Sequence, residues 1–195
     1  MAKKYLTCAE TAQLVRAALK EAFPGVKFSV RSSTYSGGAS INIGWTDGPN
    51  DAQVSAVTEK FSGSYFDGSI DFKGSNYHMI DGQEVSLGAD FIFTNRRYSD
   101  AMVARAIDRL FAKYPGNFKG MAKPSAEDYK EGRLYSVAVS GFLDNMQRLV
   151  YQVLAKQSDR LKVAESKTAA KVMVIGDDGY SRRHGAGHSA VQVAD

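Results

Sequence analysis

Two short runs of the chain combine arginine with aromatic neighbours, a pairing well suited to binding an anionic partner. Arg96-Arg97-Tyr98 is the first run, and Arg182-Arg183 lies in the second. A guanidinium group donates hydrogen bonds in a fork that fits a phosphate or a carboxylate, and an aromatic ring beside it can stack on an unpaired base. We interpret these five residues as candidate partner-binding residues, with an ordinary solvated surface as the alternative.

The residue types that carry catalysis or bind metals form no recognisable motif. Cys8 is the only cysteine, and no histidine lies near it in the sequence. His184 and His188 have the four-residue spacing of metal ligands on a helix, but the glycines around them disfavour a helix. We therefore expect no metal, no cofactor and no catalysis. An enzyme with an unrecognised site, in which Cys8 and His78 would be mutated first, stays open as a third hypothesis.

The composition is that of a globular protein without a membrane segment. The 195 residues include 25 basic and 21 acidic side chains, and both signs are spread along the chain. The sequence therefore lacks a basic arm, and its net charge of +4 excludes an acidic mimic of DNA. No apolar run approaches the roughly 20 residues that a membrane helix needs, and the start does not read as a signal peptide. We expect a soluble, cytoplasmic protein.

The clearest predicted elements lie in the first fifty residues. Thr7 and Glu10 have the spacing of a capping box, and apolar residues then recur at helical spacing until Pro24-Gly25 ends the helix. Residues 26–31 and 39–45 alternate between apolar and polar, which predicts a pair of antiparallel strands joined by a long, flexible tip. The remaining predicted elements are strands at 66–72, 77–80, 84–87, 89–94 and 171–175, and helices after Asp47, after Ser99 or Asp100, and at 142–158.

This order of elements predicts an α+β fold. Most strands follow one another without an intervening helix, so the sheet is expected to be mostly antiparallel with helices packed on one face. Asp81-Gly82 is a strong signal for a two-residue hairpin turn. The character of the sequence changes near residue 120. We therefore predict a core domain over 1–120 and a helical extension over 121–195, ending in a Gly-rich, mobile tail at 176–195.

An ordered series of matches resembles a known domain family. The series comprises Tyr5–Ala12, Ala18–Arg31, Tyr35–Ile41 and Trp45–Pro49. It is similar to the domain family associated with large polyvalent proteins of phages and conjugative elements, over roughly residues 5–115. The resemblance implies an accessory protein of a mobile element that acts inside a bacterial cell. Small standalone proteins of this setting include inhibitors of CRISPR–Cas systems, and the family offers no catalytic residues to transfer.

The resemblance implies a first functional hypothesis, and the residues support an alternative. The first is an inhibitor of a host defence system, most concretely an anti-CRISPR protein that occludes a surface of a Cas protein or surveillance complex. The alternative is a nucleic-acid-binding accessory protein that uses Arg96, Arg97, Arg182 and Arg183 on phosphates. We expect no membrane partner. A homodimer through an edge strand such as 39–45 stays open.

Overall fold

The computed structural model describes residues 3–160 and 162–179, and it has the predicted α+β class with two mostly antiparallel sheets. The chain divides into two compact units. Of the described residues, unit 1 comprises 3–45, 52–95 and 162–179, and unit 2 comprises 46–51 and 96–160. This division differs from the predicted boundary at residue 120, because the chain returns after residue 161 to complete a sheet of unit 1.

Unit 1 begins with a short strand, β1 (Lys4–Leu6), and the predicted capped helix, α1 (Cys8–Ala22). The hydroxyl oxygen of Thr7 accepts from the backbone N–H of Glu10 at 3.2 Å, and the Glu10 carboxylate accepts from the backbone N–H of Thr7 at 2.8 Å. The capping box is therefore confirmed, and it satisfies two backbone donors that helix geometry leaves free.

One sheet of unit 1 contains β2 (Ser29–Tyr35), β3 (Gly38–Thr46) and β7 (Phe91–Arg97), with β3 in the centre. The paired register runs from Ser29 opposite Gly44 to Tyr35 opposite Gly38. The predicted flexible tip at 32–38 was wrong, because only a tight turn at Ser36-Gly37 separates the strands. Serine and threonine fit an edge strand whose side chains face water, so the polar residues of β2 do not end it.

The other sheet has the order β1-β6-β5-β4, and β8 also pairs with β5. Its further strands are β4 (Ser64–Asp67), β5 (Phe72–Ile80), β6 (Gln83–Leu87) and β8 (Val172–Asp177). The Asp81-Gly82 hairpin is confirmed, since both residues have the positive φ angles, 49° and 79°, of a type I′ turn. β1 runs parallel to β6, and the other pairs of this sheet are antiparallel.

The predicted single strand at 66–72 is in fact the end of β4, a turn and the start of β5. The Asp67 carboxylate accepts from the backbone N–H of Ser69 at 2.9 Å and from its hydroxyl. Such a local bond from an aspartate side chain stabilises a turn in competition with a strand. The apolar residues alternate from the end of β4 to the start of β5, which made the two strands look like one. The hydrogen bonds of Asp67 stabilise the turn that separates them.

The core of unit 1 lies between α1 and the strands. It includes Val15, Leu19, Ile41, Ile43 and Trp45, each at most 4% exposed. Full burial of a large apolar side chain contributes about 1.5–3 kcal/mol relative to its exposure. The apolar spacing of α1 and the alternation of β3 thus explain why these two elements pack together.

Residues 166–178, which include α6 (Lys167–Lys171) and β8, pack against the rest of unit 1 through hydrogen bonds at both ends. The Glu21 carboxylate on α1 accepts from the Ser166 hydroxyl at 2.7 Å and from the backbone N–H of Thr168 at 2.9 Å. These hydrogen bonds, that from Thr168 foremost, lower the pKa of Glu21. At the other end of β8, the Asp178 carboxylate accepts from the backbone N–H of Ser75 at 2.7 Å.

Unit 2 is built around α3 (Asp100–Lys113), a short α4 (Ala126–Lys130) and α5 (Met146–Lys156). Its core comprises buried residues of α3 and α5, among them Met102, Ile107, Leu110, Val150 and Leu154. A helix starting at residue 142 was predicted, but α5 starts at Met146. Here Asn145 caps the helix by accepting from the backbone N–H of Arg148 at 3.0 Å, and Phe142 stays in the loop, stacked on Phe118.

Candidate functional site

The two arginines of the first predicted binding run differ in exposure. Arg96 is 9% exposed, whereas Arg97 is exposed and Tyr98 half-buried. The Arg96 guanidinium lies 5.2 Å from the centre of the Tyr98 ring, and burial raises the pKa of Tyr98. Arg182 and Arg183 lie outside the described residues.

The donors of Arg96 are occupied by backbone carbonyls within unit 2. Its Nε donates to the Asp47 carbonyl at 2.8 Å, and its terminal nitrogens donate to the carbonyls of Gly48, Leu154 and Gln157 at 3.1, 3.2 and 2.8 Å. Of the run Arg96-Arg97-Tyr98, the surface available to a partner is therefore Arg97 and the exposed part of Tyr98.

The two candidate catalytic side chains are both buried. The Cys8 thiol is 5% exposed and donates to the Ser40 carbonyl at 3.5 Å, and burial raises its pKa, which disfavours the reactive thiolate. His78 is fully buried, and burial lowers its pKa. Within residues 3–160 and 162–179, neither ring nitrogen has a hydrogen-bond partner. Among the described residues, no group of three His, Cys, Asp or Glu side chains could hold a metal ion.

A groove of about 540 Å³ opens on unit 1. We call it the β7 groove, because β7 contributes Phe91, Ile92, Phe93 and Thr94 to its wall. The opposite side comes from α2 (Asp51–Thr58) and the turn of 3₁₀ helix that follows it, and the remaining lining from β4, β5 and β8.

Strand alternation explains why the β7 groove presents aromatic rings. Phe91 and Phe93 are two residues apart, so they project from the same face of β7, while Ile92 projects to the other face and packs against the core. The two ring centres are 6.2 Å apart, and Phe93 is 52% exposed. The spacing of two phenylalanines in the predicted strand at 89–94 was the available signal for this surface.

The cations near the Phe91 and Phe93 rings already have partners. The Lys60 ammonium donates to the Ala169 carbonyl at 3.0 Å. Lys73 lies 5.7 Å from the centre of the Phe91 ring and 3.0 Å from the Asp90 carboxylate. Because Asp90 neutralises Lys73 and the Ala169 carbonyl holds Lys60, this region is a poor site for phosphate, which requires cations free to bind it.

The Asp90 carboxylate links the strands next to Phe91. Burial raises the pKa of its carboxyl group, but hydrogen bonds from the Ala39 N–H, Lys73 and Ser64 outweigh burial, so the pKa lies below its usual value. The carboxylate accepts from the Ala39 N–H at 2.9 Å and from the Ser64 hydroxyl at 3.0 Å. Asp90 thus joins β3 to β4 and fixes the start of β7, the strand that carries Phe91 and the exposed Phe93.

Residues 6–99 match the family model of large polyvalent protein associated domain 29. This match supports the resemblance found in the sequence, and it associates the protein with phages and other mobile elements. It covers slightly less than half of the chain and ends before α3, whereas the resemblance was predicted to extend to about residue 115. Apart from Val174 on β8, the lining of the β7 groove lies within the matched segment.

No curated protein and no solved structure matches the chain. In the part of the chain that the structure describes, every helix is too short or too polar to cross a bilayer.

Proposed function

We propose that the protein inhibits a host defence system, most concretely as an anti-CRISPR protein that occludes a surface of a Cas protein or surveillance complex. The β7 groove is the proposed contact with that partner. The association of the matched segment with mobile elements supports the setting, and the character of the groove supports a protein partner.

The single observation that carries the proposal is the half-buried Phe91 and the exposed Phe93 beside lysines that already have partners. Aromatic residues are enriched, and free charges depleted, at the centre of protein–protein interfaces. Phe93 is about half exposed in the free protein, so an apolar partner side chain that entered the groove would bury a large part of its ring. Truncation of such an anchor costs about 2 kcal/mol or more of binding free energy.

The test is co-purification from a bacterium with an active CRISPR–Cas system. Tagged wild-type protein is expected to recover a Cas subunit at near-equal stoichiometry, and this recovery should survive nuclease treatment. Phe93→Ala is expected to weaken binding by about 30-fold, which is the affinity equivalent of 2 kcal/mol. The same variant should restore interference against a phage that wild-type protein lets escape.

Tyr35→Ala is the matched control, because Tyr35 on β2 is also 52% exposed and also aromatic. Equal losses in the two variants would show that the β7 groove is not the contact. Catalytic inhibition, in which a trace of protein disables a large excess of Cas complex, would contradict occlusion. Recovery of nucleic acid alone would contradict a protein partner.

A further inference from the structure

A second groove, of about 360 Å³, lies within unit 2 between α3 and α5. We call it the α3–α5 groove. Its floor is apolar and includes Leu110, Leu149 and Val153, and its rim carries Arg109, Lys113 and Lys156. All of these lie outside the segment that the family model matches, so neither the match nor the proposed function assigns a role to this groove.

The cations of α3 form a regular row. Arg105, Arg109 and Lys113 are four residues apart, so they lie along one side of the helix at intervals of about 6 Å along its axis. All three side chains are exposed. Lys156 adds a fourth cation across the groove, from the last turn of α5.

Nearby acidic residues are neutralised by other cations. Asp108 pairs with Lys123 at 2.8 Å, and Asp144 pairs with Arg148 at 3.2 Å. Asp100, at the start of α3, pairs with Lys130.

The four groove cations have no such partner. Among residues 3–160 and 162–179, Arg105, Arg109, Lys113 and Lys156 take part in no ion pair. Three positive charges therefore line the α3–α5 groove without a counter-charge, and Arg105 extends their row along α3.

Aromatic side chains also contribute to the α3–α5 groove. Tyr114 and Phe142 line it, with ring centres 5.1 Å apart and planes at 81°. Tyr114 is half-buried, and the Lys113 ammonium lies 5.1 Å from the centre of its ring. Free cations next to an aromatic ring form the combination that binds the phosphates and bases of an unpaired strand.

We infer that the α3–α5 groove binds single-stranded nucleic acid, with phosphates along Arg105, Arg109 and Lys113 and a base against Tyr114. Tyr114 and Phe142 favour a nucleic acid over an acidic peptide, because a planar base can stack on an aromatic ring and a carboxylate cannot. The groove is concave, whereas duplex DNA is read by an element that projects into its own groove. This inference does not rest on the proposed function.

The test is fluorescence anisotropy with a labelled single-stranded oligothymidylate and the full chain, over a range of salt concentrations. Four neutralised phosphates predict a slope of about −3 for the logarithm of the association constant against that of the salt concentration. Arg109→Ala/Lys156→Ala should reduce the slope by about 1.4 and weaken binding about 25-fold at about 0.1 M salt. Circular dichroism checks that the double variant is folded.

Lys20→Ala/Lys27→Ala is the matched control, because it removes the same net charge from exposed positions of unit 1. The control should bind almost as tightly as wild-type protein. Equal losses in both double variants would overturn the inference in favour of general electrostatic attraction. Tighter binding of a labelled polyglutamate than of the oligothymidylate would also overturn the inference, because the groove would then select an acidic peptide. A labelled duplex of the same length should bind more weakly, and tighter duplex binding would likewise overturn the inference.

Discussion

Replacing Arg96 tests whether this arginine stabilises unit 2. Its guanidinium donates to carbonyls of the segment at 46–51 and to Leu154 and Gln157 at the end of α5. The last carbonyls of a helix lack a full set of partners within the helix. The Leu154 carbonyl also accepts from the Gln157 N–H, so the acceptor that depends on Arg96 at this end of α5 is the Gln157 carbonyl. Arg96→Ala removes all of these bonds in one step.

The expected cost follows from the number of acceptors left without a donor. A buried polar group that loses its partner costs about 1–3 kcal/mol. Four carbonyls accept from Arg96, but those of Gly48 and Leu154 keep a second donor, the backbone N–H groups of Asp159 and Gln157. Two carbonyls are therefore left without a donor, and water entering the vacated space would recover part of the loss, so we take the lower end of that range. Arg96→Ala should therefore lower the free energy of unfolding by about 2 kcal/mol, a substantial part of the roughly 5–15 kcal/mol that typical domains have.

The assay is urea unfolding followed by far-ultraviolet circular dichroism. Arg97→Ala is the matched control, because Arg97 is the adjacent residue and is exposed; its cost should stay within about 0.5 kcal/mol. Arg96→Lys keeps the charge but not the planar fork, so its stability should fall between those of wild type and Arg96→Ala. Equal costs for Arg96→Ala and Arg97→Ala would refute the structural role of Arg96.

Three further predictions concern unit 1. Gly88→Ala should destabilise it by more than about 2 kcal/mol in the urea assay, because the new Cβ would lie 2.4 Å from the Leu6 carbonyl oxygen. Gly116→Ala in unit 2 is the control: its Cβ would enter open space, so the variant should be as stable as wild type. His78 is neutral in the fold because burial lowers its pKa below 6.5. Below about pH 6.5 the unfolded chain therefore binds a proton that the folded chain does not, and stability should fall by at most about 2 kcal/mol between pH 6.5 and 5. His78→Leu should remove this dependence of stability on pH. A variant that loses as much stability as wild type between pH 6.5 and 5 would contradict the role given to His78. Thr7→Ala should cost about 1 kcal/mol in thermal unfolding through loss of the cap; a change within error would show that the cap does not contribute.

The sequence predicts best those elements whose local interactions agree with the fold. The capping box of Thr7 and Glu10, the Asp81-Gly82 turn and the strand near 171–175 each depend on neighbouring residues, and each is present. The start of α5 was misplaced, because Phe142 has the spacing of a helical residue but packs in a loop against Phe118. The spacing of apolar residues around Phe142 does not show that Phe118, more than twenty residues earlier, packs against it.

The candidate site was harder to predict than the fold. Arg96 was grouped with Arg97 because the two are adjacent, but adjacent residues of a strand project to opposite faces. Arg96 shares its face with Ile92, which packs against the core of unit 1, and that alternation was visible in the sequence. The groove around Phe93 depends on α2, β4 and β8 meeting in space, and no local pattern encodes this.

The return of residues 162–179 to unit 1 affects how the chain can fold during synthesis. β8 pairs with β5 across about a hundred intervening residues, and contacts between residues so far apart in the chain slow folding. While the ribosome is still making unit 2, the edge of β5 that β8 will cover has exposed backbone donors and acceptors, a template for wrong pairing. A fragment cut at residue 99, where the matched family segment ends, would keep that edge open permanently. We therefore expect the fragment to aggregate where the full chain does not.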